Sequence, residues 1–299
     1  MDNNSTDDTR AVVLQRLSRS PQLRYFHEAR QGIPYARNTG VRAARAPIVA
    51  FTDDDVRVGR EWVALIKRLF DAHPGIDMLG GRVRPIWPAN VPSWVTPQQL
   101  GPFALGERGD APFVVSAANA APCLVGANFA FRRSVFERVG LFDPVFLRSQ
   151  DREIQLRLWR AGGKGLYAPE LIIDVEIPPD RLTRTYFRHW YRTYGVYHAR
   201  MRLLDTIDRD GRLTEPRGRT IAGAPAFLYR ELVESALRFV ASRVWLDGRS
   251  AFYWENRCRY LYHYIRERRR SRHAPAPHPA PASNGPSYPG RLRRQRTIA

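Results

Sequence analysis

APIVAFTDDD, residues 46–55, is the stretch whose reading decides the fold. Ile48 to Phe51 is a continuous apolar run, the pattern expected of a strand buried on both faces. It stops at the carboxylates Asp53, Asp54 and Asp55. Open α/β sheets present functional groups from the C-terminal ends of their strands, so an apolar strand ending in acids points to a site at that end. Adjacent aspartates repel one another and lose hydration, and a divalent cation is one way to hold them charged. The alternative is that they only cap the next turn.

The surrounding sequence alternates helical and strand periods as far as about residue 176, which is the α/β signature. Upstream, residues 6–17 read as a helix with Ala11, Val12, Leu14 and Leu17 inward, and LRYFHE (23–28) reads as a short strand. Pro34 then opens a helix that carries ARNTG (36–40). Arg37 on that helix is suited to phosphate, although a lone helical arginine is usually solvated. Downstream, residues 61–74 predict an amphipathic helix with Trp62, Ile66, Leu69 and Phe70 on one side.

A proline-rich stretch, 85–112, contains Trp87, Trp94 and Phe103 and has no clear period. Strand-like alternation returns in LVGANFAFRR (124–133), followed by a short helix at 134–140, a helix at 151–163 and a last strand at 171–177. Asp151 opens the second of these helices, where a carboxylate suits the exposed amides; a plain N-cap explains it equally well. Beyond Arg181 helices dominate. Residues 227–246 repeat Leu228, Leu232, Ala236, Val240 and Val244 at every fourth position. The reading divides the sequence into an α/β domain over 1–215, a helical region over 216–268 and a disordered Arg/Pro/Ala-rich tail over 269–299.

At 299 residues with 43% apolar content, the protein can bury a sizeable core. The formal charge of +19 suggests a polyanionic partner, but eight arginines from Arg268 onward account for +8 and leave +11 on residues 1–267. Lysine occurs only as Lys67 and Lys164. No aromatic-and-basic RNA module is legible, so nucleic acid is not expected as a partner. A basic amphipathic helix around 227–246 suits peripheral contact with a membrane surface, or simply a packed helical cap. Cys123 and Cys258 stand far apart without a metal-binding spacing, so a reducing compartment is expected. No secretory pattern opens the sequence, and no apolar run is long enough to span a membrane.

Taken in order, DNNSTDDT (2–9), ARNTGVRAARAPIVAFTDDD (36–55), GANFAFRRSVFERVGLFD (126–143) and QDREIQLRLWRAGGKGLYAPE (150–170) resemble the inverting nucleotide-sugar glycosyltransferases of family 2, over roughly residues 1–195. The resemblance implies the GT-A fold, a Rossmann-like mixed, mostly parallel sheet flanked by helices, here with a C-terminal helical extension. It implies transfer of a sugar from a nucleotide-diphosphate donor to a saccharide or lipid-linked acceptor, in polysaccharide or cell-envelope assembly. The expected location is the cytoplasm, at the inner face of the plasma membrane where the acceptor is lipid-linked. By that resemblance Asp55 ligates Mg²⁺ or Mn²⁺ with Asp53, while Asp53 and Asp54 also face ribose and phosphate. Asp2 contacts the nucleoside, and Arg37 and Asn38 lie near the donor. Asp151 is the general base.

Two departures accompany the match. Gln150 replaces the acid that precedes the base in the family. Val175 and Glu176 stand where many relatives carry a histidine, with Glu176 a substitute oxygen ligand. Gly126, Asn128 and Trp94 are the expected acceptor contacts, although each aromatic of that loop is equally explained by packing. The family also begins with a strand, helix and second strand ahead of the Asp-Asn-Asn-Ser-Thr run, so the resemblance implies on the order of thirty to forty preceding residues. The expectation is therefore either that Met1 is a false start or that the gene is a truncated copy, with activity impaired in the second case.

Overall fold

The computed structural model describes residues 1–106, 108–215 and 218–272. Its centre is a mixed sheet built from β1 (Ile48–Phe51), β2 (Val56–Val58), β3 (Met78–Ile86), β4 (Phe113–Val115), β5 (Phe129–Arg132) and β6 (Gly165–Glu176). The order is β1-β5-β3-β6-β2, with β4 also paired to β6. The longest ladder, β3 with β6, is parallel; the other pairings between strands of this sheet are antiparallel.

Alternation along the strands places apolar side chains on both faces. Phe129 and Phe131 of β5 join a core with α2 (Ile33–Ala43), α4 (Ser134–Val139) and α5 (Gln150–Arg160). Ala130 faces the opposite core, where α3 (Trp62–Ala72) buries Trp62, Ile66, Leu69 and Phe70, the four residues its periodicity predicts. After the last sheet strand come α6 (Arg184–Arg200), α7 (Leu203–Thr206), a two-stranded hairpin of β7 (Thr220–Ile221) and β8 (Ala224–Pro225), and the pair α8 (Ala226–Val244) and α9 (Gly248–Arg270). Helix α9 carries the helical region two residues past its expected end at 268, and the expected disorder of 273–299 lies outside the described residues.

Several expectations change. β1 is an edge strand with only Val49 buried and Ala50 exposed, because β5 flanks it on one side and no described strand flanks the other. Helix α1 (Thr9–Leu17) buries none of its residues, since nothing described covers its apolar side. The LRYFHE stretch makes a single parallel bridge between His27 and Asp2 rather than a strand. The proline-rich stretch is a packed strap with short 3₁₀ turns at Pro97–Gln99 and Gly101–Phe103.

Candidate active site

The acidic end of β1 is organised by a buried arginine. Helix α2 turns Arg37 inward, where it is 8% exposed and lies over the rings of Phe129, Phe142 and Phe51 at 5.0, 5.6 and 5.8 Å. A guanidinium can leave water in this way because its flat face is weakly hydrated and is attracted to aromatic faces. Its Nη2 donates to the Gly126 carbonyl at 3.0 Å and stands 3.5 Å from Asp53 Oδ1. Nη1 is buried with no hydrogen-bond partner. Burial lowers the Arg37 pKa, opposed by the charges of Asp53 and Asp151. The Asp53 carboxyl is raised, chiefly by desolvation and further by Asp55, Asp151 and Asp54, with Arg37 opposing.

Asp151 enters from the other side. Helix α5 begins after Ser149, which holds a left-handed φ of 57°. Asp151 Oδ1 accepts from the Arg152 amide at 2.8 Å, and Oδ2 accepts from the Gly126 amide at 3.3 Å. Gly126 therefore holds Arg37 through its carbonyl and Asp151 through its amide. A Cβ at position 126 would stand 2.9 Å from both Arg37 Nη atoms, so the approach requires glycine. Gln155, one turn along α5, fixes the same loop: its amide donates to the carbonyls of Leu124 at 2.8 Å and Asp151 at 2.9 Å, and its Oε1 accepts from Leu124 N at 2.9 Å.

Other expected site residues have structural partners. Asn128 is fully buried; its amide donates to the Leu171 and Arg82 carbonyls at 2.7 and 3.0 Å, and its Oδ1 accepts from Trp62 Nε1 at 2.8 Å. It closes the bulge where the register of β3 and β6 shifts after Gly81, leaving no polar atom facing a ligand. Asn38 binds both the carbonyl and the amide of Phe142, at 2.8 and 2.9 Å. Trp94 packs edge-on against Phe187 and Phe252, each at 4.9 Å. The polar atoms of Asn128 and Asn38 thus have protein partners, while Trp94 packs on Phe187 and Phe252 and stays partly exposed.

Glu176, at the end of β6, pairs with Arg57 on β2. Asp55 is 3.4 Å from Arg181 Nη2, and Asp54 is exposed. Among the described residues, no group of three His, Cys, Asp or Glu side chains is placed to hold a cation by itself. A hard cation that shares a ligand's phosphates needs only one or two carboxylates, and Asp53 with Asp55, whose side chains are 45% and 47% exposed, fits that need. Asp2 lies on the bridge with His27, where its carboxylate accepts from the Tyr25 hydroxyl at 2.5 Å and the Ser5 amide at 2.9 Å. The Tyr25 bond, then that from Ser5, lowers its pKa to about 2. Sequence reading missed Gln155 and the aromatic row on α6, where Tyr194 stacks on Trp190 at 3.9 Å. Burial, then the charge of Asp151, pushes the Tyr194 hydroxyl far above its ordinary pKa.

The acid-ended strand, the inward arginine and Gly126 all lie within residues 1–140, which match the domain family Glycosyl transferase family 2. Residues 1–140 are thus similar to the family 2 glycosyltransferases. Over 131 residues it is 27% identical to the glucosyl-dolichyl phosphate glucuronosyltransferase of Haloferax volcanii, a match covering 44% of this chain and 41% of that protein. The chain thus spans about two fifths of the length of that curated relative. Among solved structures it is similar to the mannosyltransferase PcManGT from Pyrobaculum calidifontis, determined with GDP-Man and Mn²⁺. That likeness has a TM-score of 0.54 at 18% identity and covers 88% of this chain and 75% of that one. It places the chain in the GT-A fold.

Proposed function

We propose that this protein transfers a sugar from a nucleoside-diphosphate donor to a hydroxyl of a saccharide or lipid-linked acceptor, with inversion at the anomeric carbon. The observation that carries this reading is Gly126, which joins the Arg37–Asp53 pair to Asp151 through the carbonyl and the amide of a single residue. The donor side and the proton-accepting side are thereby held in fixed relation. The relatives' own donors and acceptors support the substrate class: a GDP-sugar for the Pyrobaculum mannosyltransferase, and a glucosyl-dolichyl phosphate for the curated relative.

In the proposed reaction the acceptor oxygen attacks the anomeric carbon as the bond to the diphosphate oxygen breaks. The hydroxyl proton passes to the Asp151 carboxylate, which must lie within hydrogen-bond reach of it. Attack opposite the leaving group inverts the configuration. Asp53 and Asp55 are the residues that would hold Mg²⁺ or Mn²⁺, which supplies positive charge for the departing diphosphate. Arg37 keeps Asp53 in place, and the Gly126 amide orients Asp151. A lipid-linked acceptor in cell-envelope or polysaccharide assembly would bring the enzyme to the inner face of the plasma membrane; the free thiols of Cys123 and Cys258 suit the reducing cytoplasm.

The test is calorimetric titration of GDP, UDP and TDP with Mn²⁺ into the full-length protein, its Asp53→Ala variant and its Asp151→Asn variant, alongside transfer assays. Tight binding of one nucleotide that Asp53→Ala abolishes and Asp151→Asn preserves, with transfer lost in both variants, is the expected result. Equal nucleotide binding by wild type and Asp53→Ala would overturn the placement of the donor.

A further inference from the structure

Helix α8 has two apolar faces. One, with Leu228 and Ser235 buried, packs against α9. The other is set by Val233, Leu237, Val240 and Val244, which are 59%, 66%, 57% and 72% exposed. Their spacing of four, three and four residues lines them up within a narrow arc on the far side of the helix. The every-fourth-residue pattern in the sequence mixes the two faces: Leu228 is inside, whereas Ala236, Val240 and Val244 are outside.

The exposed stripe runs into the turn between α8 and α9. Trp245 and Leu246 there are 81% and 90% exposed. Leu246 holds φ 55°, a left-handed conformation that disfavours large side chains. This turn thus presents an indole and an isobutyl group to solvent on a backbone where glycine would be easier. Exposed arginines stand beside the stripe and the turn, namely Arg243 and Arg249, with Arg230 paired to Glu234 at the stripe's start.

We infer that this edge, from Val233 through Leu246, is a docking surface for an anionic lipid bilayer. The apolar stripe would lie in the plane of the interface, Trp245 and Leu246 would enter the boundary between headgroups and acyl chains, and the flanking arginines would meet lipid phosphates. Tryptophan suits that boundary because its ring is apolar and its N–H is polar. A second copy of the protein fits less well. The stripe covers eleven residues of rise, about 17 Å, where a stable helix seam needs three or more heptads, and the Trp245–Leu246 turn falls outside the helical register. The inference shares its setting with the proposed lipid-linked acceptor, but its test uses no sugar transfer.

The experiment is co-sedimentation of the full-length protein with phosphatidylcholine vesicles, with and without phosphatidylglycerol. It includes the wild type, Leu237→Glu with Val244→Glu, Trp245→Ala with Leu246→Ala, and Arg243→Gln with Arg249→Gln. Sedimentation velocity and nucleotide calorimetry are run on each protein. Expected are binding to the phosphatidylglycerol vesicles, a loss of about tenfold or more in each apolar double variant, and a loss of several-fold in the arginine variant, whose salt dependence also shrinks. Nucleotide binding should be unchanged in all of them, and failure there would count against the transferase reading alone. The inference is overturned if the wild type ignores both vesicles or if the apolar variants bind as well as the wild type. It is also overturned if the wild type is a dimer that Leu237→Glu with Val244→Glu dissociates.

Discussion

The loop at 124–128 and the helix α8 dispose of polar and apolar groups in opposite ways. Around the loop, the polar side chains of Asn128, Asn38 and Gln155 are buried and bound to backbone groups. On α8, apolar side chains stand in solvent. The first region gains precision: a buried amide with all its partners met can adopt one arrangement, which fixes the loop whose Gly126 joins Arg37 to Asp151. The second gains availability, because exposed apolar surface has free energy to release only when something else covers it. In this protein, a residue's chemical type is therefore a poor guide to its role until its partners are known.

The comparison breaks most sharply at the loop. Asp151→Asn should lower the transfer rate by about a hundredfold or more, with the melting temperature nearly unchanged, as read by initial rates beside thermal unfolding. Asn128→Ala should do the reverse. It strands Trp62 Nε1–H and two carbonyls in a dry interior, costing about 3 kcal/mol in denaturant unfolding. A loss of activity at full stability in that variant would restore Asn128 as a ligand contact.

The two faces of α8 sharpen the contrast. Leu228→Ala, on the face against α9, should cost about 2 to 4 kcal/mol, whereas Val240→Ala on the outer face should stay within about 0.5 kcal/mol. Similar losses at both positions would mean that the outer stripe is covered in the folded monomer.

A pH dependence tests the buried polar groups where α6 meets α9. His198 is buried, with Nδ1 2.9 Å from the Tyr260 hydroxyl, and burial, reinforced by the Arg152 charge, lowers its pKa from 6.5 to about 3. The depressed value means that the unfolded state takes up the proton first. Stability is thus fully present above about pH 6.5 and falls as pH drops toward 3, with a slope of up to about 1.4 kcal/mol per pH unit from this residue. His198→Gln should remove that part of the slope. Asp2 acts lower, its contribution being present above about pH 4 and lost as pH falls toward 2; Tyr25→Phe should narrow that window.

Local sequence carried much of this molecule. The period of 61–74 named the four residues that α3 buries, Pro34 marked the start of α2, and the acids after Phe51 marked the end of β1, because spacing along the backbone sets which side chains share a face. The likeness to the family was legible in the order of its motifs. Partnership was decided by tertiary structure alone. Only the β3–β6 bulge makes Asn128 a structural lock, only the close approach of Arg37 makes Gly126 obligatory, and only the placement of α9 determines which apolar face of α8 is inside. Hydrogen bonds and burial are relations between residues far apart in sequence, so a residue's own identity and neighbours cannot state them; they exist once the protein has folded and water has been excluded.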